Sequence, residues 1–273
     1  VVVDVAKTDS VDYADVVLPA ASHFEHDDLF CAYGQQYIQR AEAVINPVGE
    51  ALPNTEIFRR LAHRFGFNDA IFRASDAELM DDALDGDDPR LGGVRPSQLP
   101  IPAALGMSTS TDRIGFERQP TTKSGRIELR SSYLTDKFAA PLAKFQSLAE
   151  DEDAARTYPF ALVTPSSNWR TNSMFGGLSQ SDATPDLEMH PDDAGKLGLA
   201  DGQQVRVHNK LGEVYLPLKV TDGIAPGVLL SYKGAWMRTT TNGQTVSALA
   251  PTTKADLSEG ACYNDTRVAV AAA

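Results

Sequence analysis

The chain has 273 residues, 42% of them apolar, and a formal net charge of −12. That length suits one large or two ordinary domains, and the acidic balance argues against nucleic acid as a partner. No window approaches the roughly 18 consecutive apolar residues of a membrane span, which argues against direct membrane insertion. Its two cysteines, Cys31 and Cys262, leave no CxxC, so the chain cannot by itself hold an iron–sulfur cluster or a four-cysteine zinc site.

The chain opens on VVVDVAKTDS, which reads as a strand already in progress, so a fragment of a longer protein is expected. Val1–Val5 and Asp15–Leu18 are the first predicted strands. The short apolar run Val16–Leu18, closed by Pro19, suits a strand buried on both faces, as in a parallel sheet. Loops after the carboxyl ends of such strands bind ligands in open α/β sheets, and His23, Glu25 and His26 stand on one. A zinc pair on a helix needs i, i+4 spacing. These histidines are three apart on a predicted loop, with no third ligand nearby, so no metal is assigned.

Tyr37–Ile45 has an extended pattern, and Gly49 and Pro53 mark a turn. Asn54 is a predicted N-cap for a helix whose face carries Ile57, Phe58, Leu61, Ala62 and Phe65, with Gly66 as its stop. A second helix is predicted over Ser75–Leu84. It opens the stretch Asp76–Asp88, where seven acids in thirteen residues form a solvated face and fit no EF-hand spacing. Gly86–Thr122 is rich in Pro and Gly and reads as irregular, Ser124–Ser131 alternates as a strand, and Lys144–Thr157 reads as a linker.

From Tyr158 the pattern changes. Residues 1–157 hold 16 Lys/Arg against 26 Asp/Glu, while residues 158–273 hold 9 against 11. FALVT, QVRVHN, VYLPLKV, VLLSY and TRVAVA are predicted strands at roughly ten-residue spacing, the signature of a β sandwich or barrel. Pro191, Asp192 and Asp193 open a helix that Gly198 ends, with His190 at its start. His63 falls on the Asn54 helix, and no Ser-His-Asp or Cys-His arrangement is evident, so no catalytic residue is assigned.

Three separated segments carry a family resemblance: VVVDVAKTDSVDYADVVLPAASHFE with INPVGEALPNTEIFRRLA, then SGRIELRSSYL, then HPDDAGKLGLADGQQVRVHNKLGEVYLPLKVTDGIAPGVLL. In order and spacing they resemble the C-terminal part of the molybdopterin oxidoreductases of dimethyl-sulfoxide-reductase type. The resemblance implies a mixed fold, α/β plus all-β: residues 1–150 as the end of an α/β dinucleotide domain, and residues 158–273 as a six-stranded double-psi β-barrel. It implies molybdopterin guanine dinucleotide with molybdenum or tungsten as the cofactor of the intact enzyme. It also implies that the Ser22–Glu25 segment borders the cofactor cleft. Its implied partners are the remaining domains of the same polypeptide and, as a candidate, an electron-transfer subunit. The chain alone is expected to bind no metal or cofactor and to be inactive.

The resemblance places candidate cofactor contacts. Asp4 ends the first strand, where related sequences set a carboxylate near the guanine; it reads equally as a solvated strand-end acid. The loop TPSSNWRTNSMFGG is dense in Ser, Thr, Asn and Gly, and supplies Ser166, Asn168, Trp169, Asn172 and Ser173. Lys233 and Trp236 follow the VLLSY strand, and Tyr263 and Asn264 match a late aromatic–polar pair. The family's N-x-L-T arrangement is here Ser247 and Ala250, which removes an amide and a hydroxyl. Two other readings stay open: a non-catalytic relative, such as the large iron–sulfur subunit of NADH dehydrogenase, and a stand-alone barrel module that binds a nucleotide or a partner.

Overall fold

The computed structural model describes residues 1–31, 33, 37–85, 93, 95–99, 103–106, 120, 122–142, 154–181, 183–255 and 257–273. The chain divides into two compact units, Val1–Leu142 and Ala143–Ala273.

In the first unit β1 (Val2–Asp4) lies parallel to β2 (Val17–Pro19), and Ala20 bridges to Leu52. β3 (Asp28–Cys31), β4 (Tyr37–Ala41) and β5 (Ala103–Gly106) form an antiparallel sheet in that order. The expected burial of Val16–Leu18 on both faces does not occur in this unit. Val16 is 48% and Val17 45% exposed, because a parallel pair buries both faces only when layers cover them. β5 lies within the stretch read as irregular; most of the rest of that stretch, and residues 144–153 of the expected linker, lie outside the described residues.

α1 spans Asn54–Phe65 and ends on Gly66 at φ 76°, the left-handed conformation that glycine adopts without a Cβ penalty. Pro53, not Asn54, holds the N-cap position, and no side chain caps the helix. Ile57 and Ala62 are buried, but Phe58 and Phe65 are exposed, and Phe65 stacks on Phe67 at 5.8 Å. α2 (Asp76–Ala83) carries a full capping box: Ser75 Oγ accepts from Glu78 N–H, and Glu78 accepts from Ser75 N–H.

Residues 124–131 are bends and turns, not the expected strand. Thr122 Oγ1 donates to Arg126 O at 2.7 Å, Ser124 Oγ donates to Glu128 at 2.7 Å, and Gly125 takes φ 64°. Such local bonds compete with a sheet ladder. Ser131 then caps α3 (Ser132–Phe138), accepting from Leu134 N–H.

The second unit is a closed six-stranded barrel. Its strands are β6 (Phe160–Val163), β7 (Leu187–Met189), β8 (Gln204–His208), β9 (Glu213–Val220), β10 (Val228–Leu230) and β11 (Thr266–Ala272), in the order β10-β6-β11-β8-β9-β7. The β6–β10 and β7–β9 pairs are parallel, and the other four are antiparallel. Alternation drives closure: Val205, Val207, Val214, Leu216, Leu218, Leu229 and Val268 point inward and are at most 2% exposed. β7 was not anticipated, since three residues give periodicity no length to show itself.

α4 (Pro191–Leu197) follows β7. Pro191 sits at its first position, and His190 Nδ1 accepts from Asp192 N–H. Asp193 on α4 is 5% exposed; its carboxylate accepts Gly227 N–H at 2.6 Å and Lys196 Nζ–H at 3.1 Å. The Gly227 amide, then Lys196, holds its pKa below the ordinary 3.8. A carboxylate with a depressed folded pKa contributes stability that is present above its unfolded pKa and lost as pH falls through the folded value. Asp193→Asn should therefore lower barrel stability at neutral pH and flatten its decline below about pH 4. Both tryptophans, Trp169 and Trp236, lie in the barrel unit, so tryptophan fluorescence during denaturation at several pH values checks this. An unchanged slope below pH 4 would refute it.

Candidate functional site

Strand directions decide where the site lies. β6 and β10 run together, and β11 and β7 oppose them; β8 opposes β11, and β9 opposes β8. The carboxyl ends of β6, β8 and β10 and the amino ends of β7, β9 and β11 therefore share one end of the barrel. Three connections leave that end: 164–186, 209–212 and 231–265. Two of them are long, and every barrel residue named from the sequence as a candidate cofactor contact falls on one of these two.

Three inward positions at this end are polar. Thr164 is 7%, Thr266 3% and Ser231 0% exposed. Thr266 Oγ1 donates to Tyr263 O at 2.8 Å, and Asn264 Oδ1 accepts from Thr164 N–H at 3.5 Å. Ser231 Oγ has no hydrogen-bond partner. The apolar core thus ends in a layer of hydroxyls beneath the loops.

In the first loop Ser167 Oγ accepts from the backbone N–H groups of Trp169 and Arg170, at 3.2 and 3.0 Å. This turn leaves Ser166, Asn168 and Trp169 exposed while Arg170 is buried. Asn172 follows at φ 55° and Phe175 at φ 65°, and both Asn172 and Ser173 are exposed.

The second loop is tied to the first. Lys233 N–H donates to Pro165 O at 3.1 Å, and Trp236 Nε1–H donates to Ser173 O at 2.8 Å. Thr184 Oγ1 donates to Thr239 O at 2.7 Å. The Lys233 ammonium lies 4.6 Å over the Tyr263 ring, and the Arg238 guanidinium 4.1 Å over that of Trp236. Trp236 is buried, while Tyr263 and Asn264 are exposed. Ser247 lies exposed on a 3-10 turn, Val246–Leu249, which Asn209 anchors by donating to Leu249 O at 2.8 Å.

The structure therefore brings Ser166, Asn168, Trp169, Asn172, Ser173, Lys233, Trp236, Ser247, Tyr263 and Asn264 to one barrel end. Asp4 belongs to the first unit; it closes β1, and its Oδ1 accepts Ala6 N–H at 3.3 Å. Sequence reasoning missed Ser231, Gly234, Gly176 and Gly177; the Gly176-Gly177 pair was the available signal.

In the first unit Glu25 organises its own loop. It is 7% exposed, and its two oxygens accept Ser22 N–H at 2.6 Å and Val48 N–H at 2.7 Å. These donors, Ser22 foremost, lower its pKa from the ordinary 4.5. His23 packs on Phe24 at 4.1 Å, and His26 Nδ1 meets Asp27 O at 3.0 Å. Glu25→Ala should leave two amides without their acceptor and speed hydrogen exchange at Ser22 and Val48. In the parent the same exchange should accelerate as pH drops through the lowered Glu25 pKa, after correction for intrinsic exchange. Unaltered protection at both amides would rule out this role.

Comparison with known proteins bears on both units. Residues 160–267 match the family model described as "Molydopterin dinucleotide binding domain", and residues 1–64 match "Molybdopterin oxidoreductase". The chain is 34% identical to the "Probable oxidoreductase YoaE" of Bacillus subtilis, over 99% of its own length and 39% of that protein. It is 28% identical to the "Dimethyl sulfoxide/trimethylamine N-oxide reductase" of Rhodobacter capsulatus, over 86% of its own length and 32% of that protein. In fold it is similar to the acetylene hydratase of Pelobacter acetylenicus, with a TM-score of 0.75 at 21% identity, over 97% of this chain and 39% of that one. The chain thus spans well under half the length of the proteins it matches.

Proposed function

Because the chain belongs to the molybdopterin oxidoreductases of dimethyl-sulfoxide-reductase type, we propose that its barrel end holds molybdopterin guanine dinucleotide within a longer enzyme. When bound, that cofactor supplies molybdenum or tungsten for two-electron redox chemistry. On this reading the rest of the polypeptide provides the metal's protein ligand, and an electron-transfer subunit is a candidate partner.

One observation carries the proposal: the two long polar loops leave the same barrel end and are hydrogen-bonded to each other. The donor set fits the group. A dinucleotide presents pyrophosphate oxygens, which take N–H and O–H donors, and flat rings, which take aromatic faces. The exposed Asn168, Asn172, Ser166 and Ser173 supply donors, and Trp169 and Tyr263, at 63% and 39% exposure, supply faces. Ser231 Oγ, buried without a partner, is a donor held in reserve beneath them. Lys233 brings a positive charge that Tyr263 orients. Ser247 offers one hydroxyl where relatives carry an amide, and Ala250 offers none, so this turn contributes least. In the first unit, taken by itself, Asp4 at the end of β1 is the proposed carboxylate acceptor for a guanine's N1–H and 2-amino groups.

Asn172→Ala in the complete enzyme should weaken cofactor retention about 5- to 150-fold, the effect of losing one buried polar contact worth about 1–3 kcal/mol. Cofactor content after dialysis is the measurement, and retention equal to the parent's would remove Asn172 from the site. The isolated chain should carry no metal, since it presents one face of the proposed site and lacks the contacts of the other. Elemental analysis decides this: stoichiometric molybdenum, zinc or iron would contradict it.

A further inference from the structure

We infer that Trp236 and Gly234 are positioning residues, which hold the Asn172–Gly177 turn in the one conformation that turns its polar groups outward. That this turn binds the cofactor is the proposal above; that Trp236 shapes the turn is a separate matter of geometry. Trp236 is 7% exposed, too enclosed to offer its ring to a ligand. Its Nε1–H donates to Ser173 O. The backbones of Gly176 and Gly177 lie directly on the indole: a Cβ on Gly177 would stand 2.8 Å from Cη2 and Cζ3, and one on Gly176 would overlap Nε1 and Cδ1.

Gly234 completes the clamp. It adopts φ +94°, and a Cβ there would collide with the Asn172 carbonyl. The turn needs such restraint. Asn172 and Phe175 both take left-handed φ values, and a bulky residue such as Phe stays there only when its surroundings over-determine the conformation. The turn's own bonds, Met174 N–H to Thr171 O, Gly176 N–H to Ser173 O and Leu178 N–H to Phe175 O, are 3.1 to 3.3 Å long and local. Within the loop Ser181 Oγ–H adds a tie to Phe175 O, and the other loop supplies the contacts on Asn172, Ser173, Gly176 and Gly177. Trp236 is itself anchored: its carbonyl accepts Thr239 N–H at 3.0 Å and Thr239 Oγ1–H at 2.9 Å.

Trp236→Phe keeps an aromatic ring and deletes the N–H donor, and Gly234→Ala keeps the indole and pushes on Asn172. Both variants should be made in the complete protein, expressed without molybdate so that the cofactor does not order the turn. Hydrogen exchange at Met174, Gly176 and Leu178 should accelerate at least about fivefold in each, the scale of one lost buried hydrogen bond. Strands Gln204–His208 and Glu213–Val220 should keep their protection. Unchanged exchange in the turn with Trp236→Phe would overturn the inference, as would an equal loss of protection across the strands, which would mean general destabilisation. Cofactor retention is then measured in the same variants expressed with molybdate. A loosened turn with full retention would leave the positioning role standing and refute the cofactor assignment of the turn.

Discussion

The closure of six short strands into a barrel is the constraint on which the functional end depends. β10 pairs with β6 on one side and β7 on the other, and each of these pairings fixes a direction. Parallel β6 and β10 must send their outgoing chains from the same end, and β7 and β11, antiparallel to them, must receive chains there. Two connections that are far apart in sequence are thereby forced to share a small circular mouth. The barrel's interior alternation sets its other property: the inward position after each outgoing strand is no longer covered by a full ring of apolar neighbours. At those positions stand Thr164 and Ser231, with Thr266 on the incoming strand.

Crowding at the mouth is relieved by small residues and settled by one large one. Gly176, Gly177 and Gly234 let backbone approach the Trp236 ring and the Asn172 carbonyl at distances that any Cβ would prevent. The indole fills the volume, and its polar edge gives the Ser173 carbonyl a second, shorter hydrogen bond beside the turn's own from Gly176 N–H. The exposed surface of the first loop is then free to be polar and irregular, because its conformation is determined from behind. The first unit uses a carboxylate for a similar end, with Glu25 pinning the segments at Ser22 and Val48 to one another.

What was legible in the sequence follows from the range of each signal. β8, β9 and β11 alternate over five to eight residues, and α1 carries a helical stripe and a glycine stop, so local pattern is sufficient for them. Residues 124–131 alternate as well, yet side-chain bonds from Thr122 and Ser124 turn the chain there, and Ser131 serves as a cap. Composition alone does not separate a strand from such a turn. Val16 and Val17 read as doubly buried because their run is apolar, but burial depends on neighbouring layers that a local run does not encode. The candidate residues at the barrel mouth were found through family resemblance, and their convergence followed from topology. The clamp was out of reach: Trp236 and Ser173 are 63 positions apart, and a tryptophan bonded to a carbonyl leaves no sequence pattern.

The whole chain is strongly acidic, but residues 158–273 are nearly balanced, and the loop segment 164–181 carries a single charged side chain, Arg170. A surface built this way attracts an anion weakly at long range, since Coulomb steering needs a net field. Its affinity must come from short, directional contacts with amide and hydroxyl donors, which count only when each group is correctly placed. A lysine-rich mouth would tolerate a loose loop, because an ammonium acts as a point charge from many positions. A neutral mouth does not. The scarcity of charge along 164–181, where only the buried Arg170 carries one, and the tie through Trp236 and Gly234 are therefore two sides of one arrangement: recognition by neutral donors requires a loop whose shape is settled before the ligand arrives.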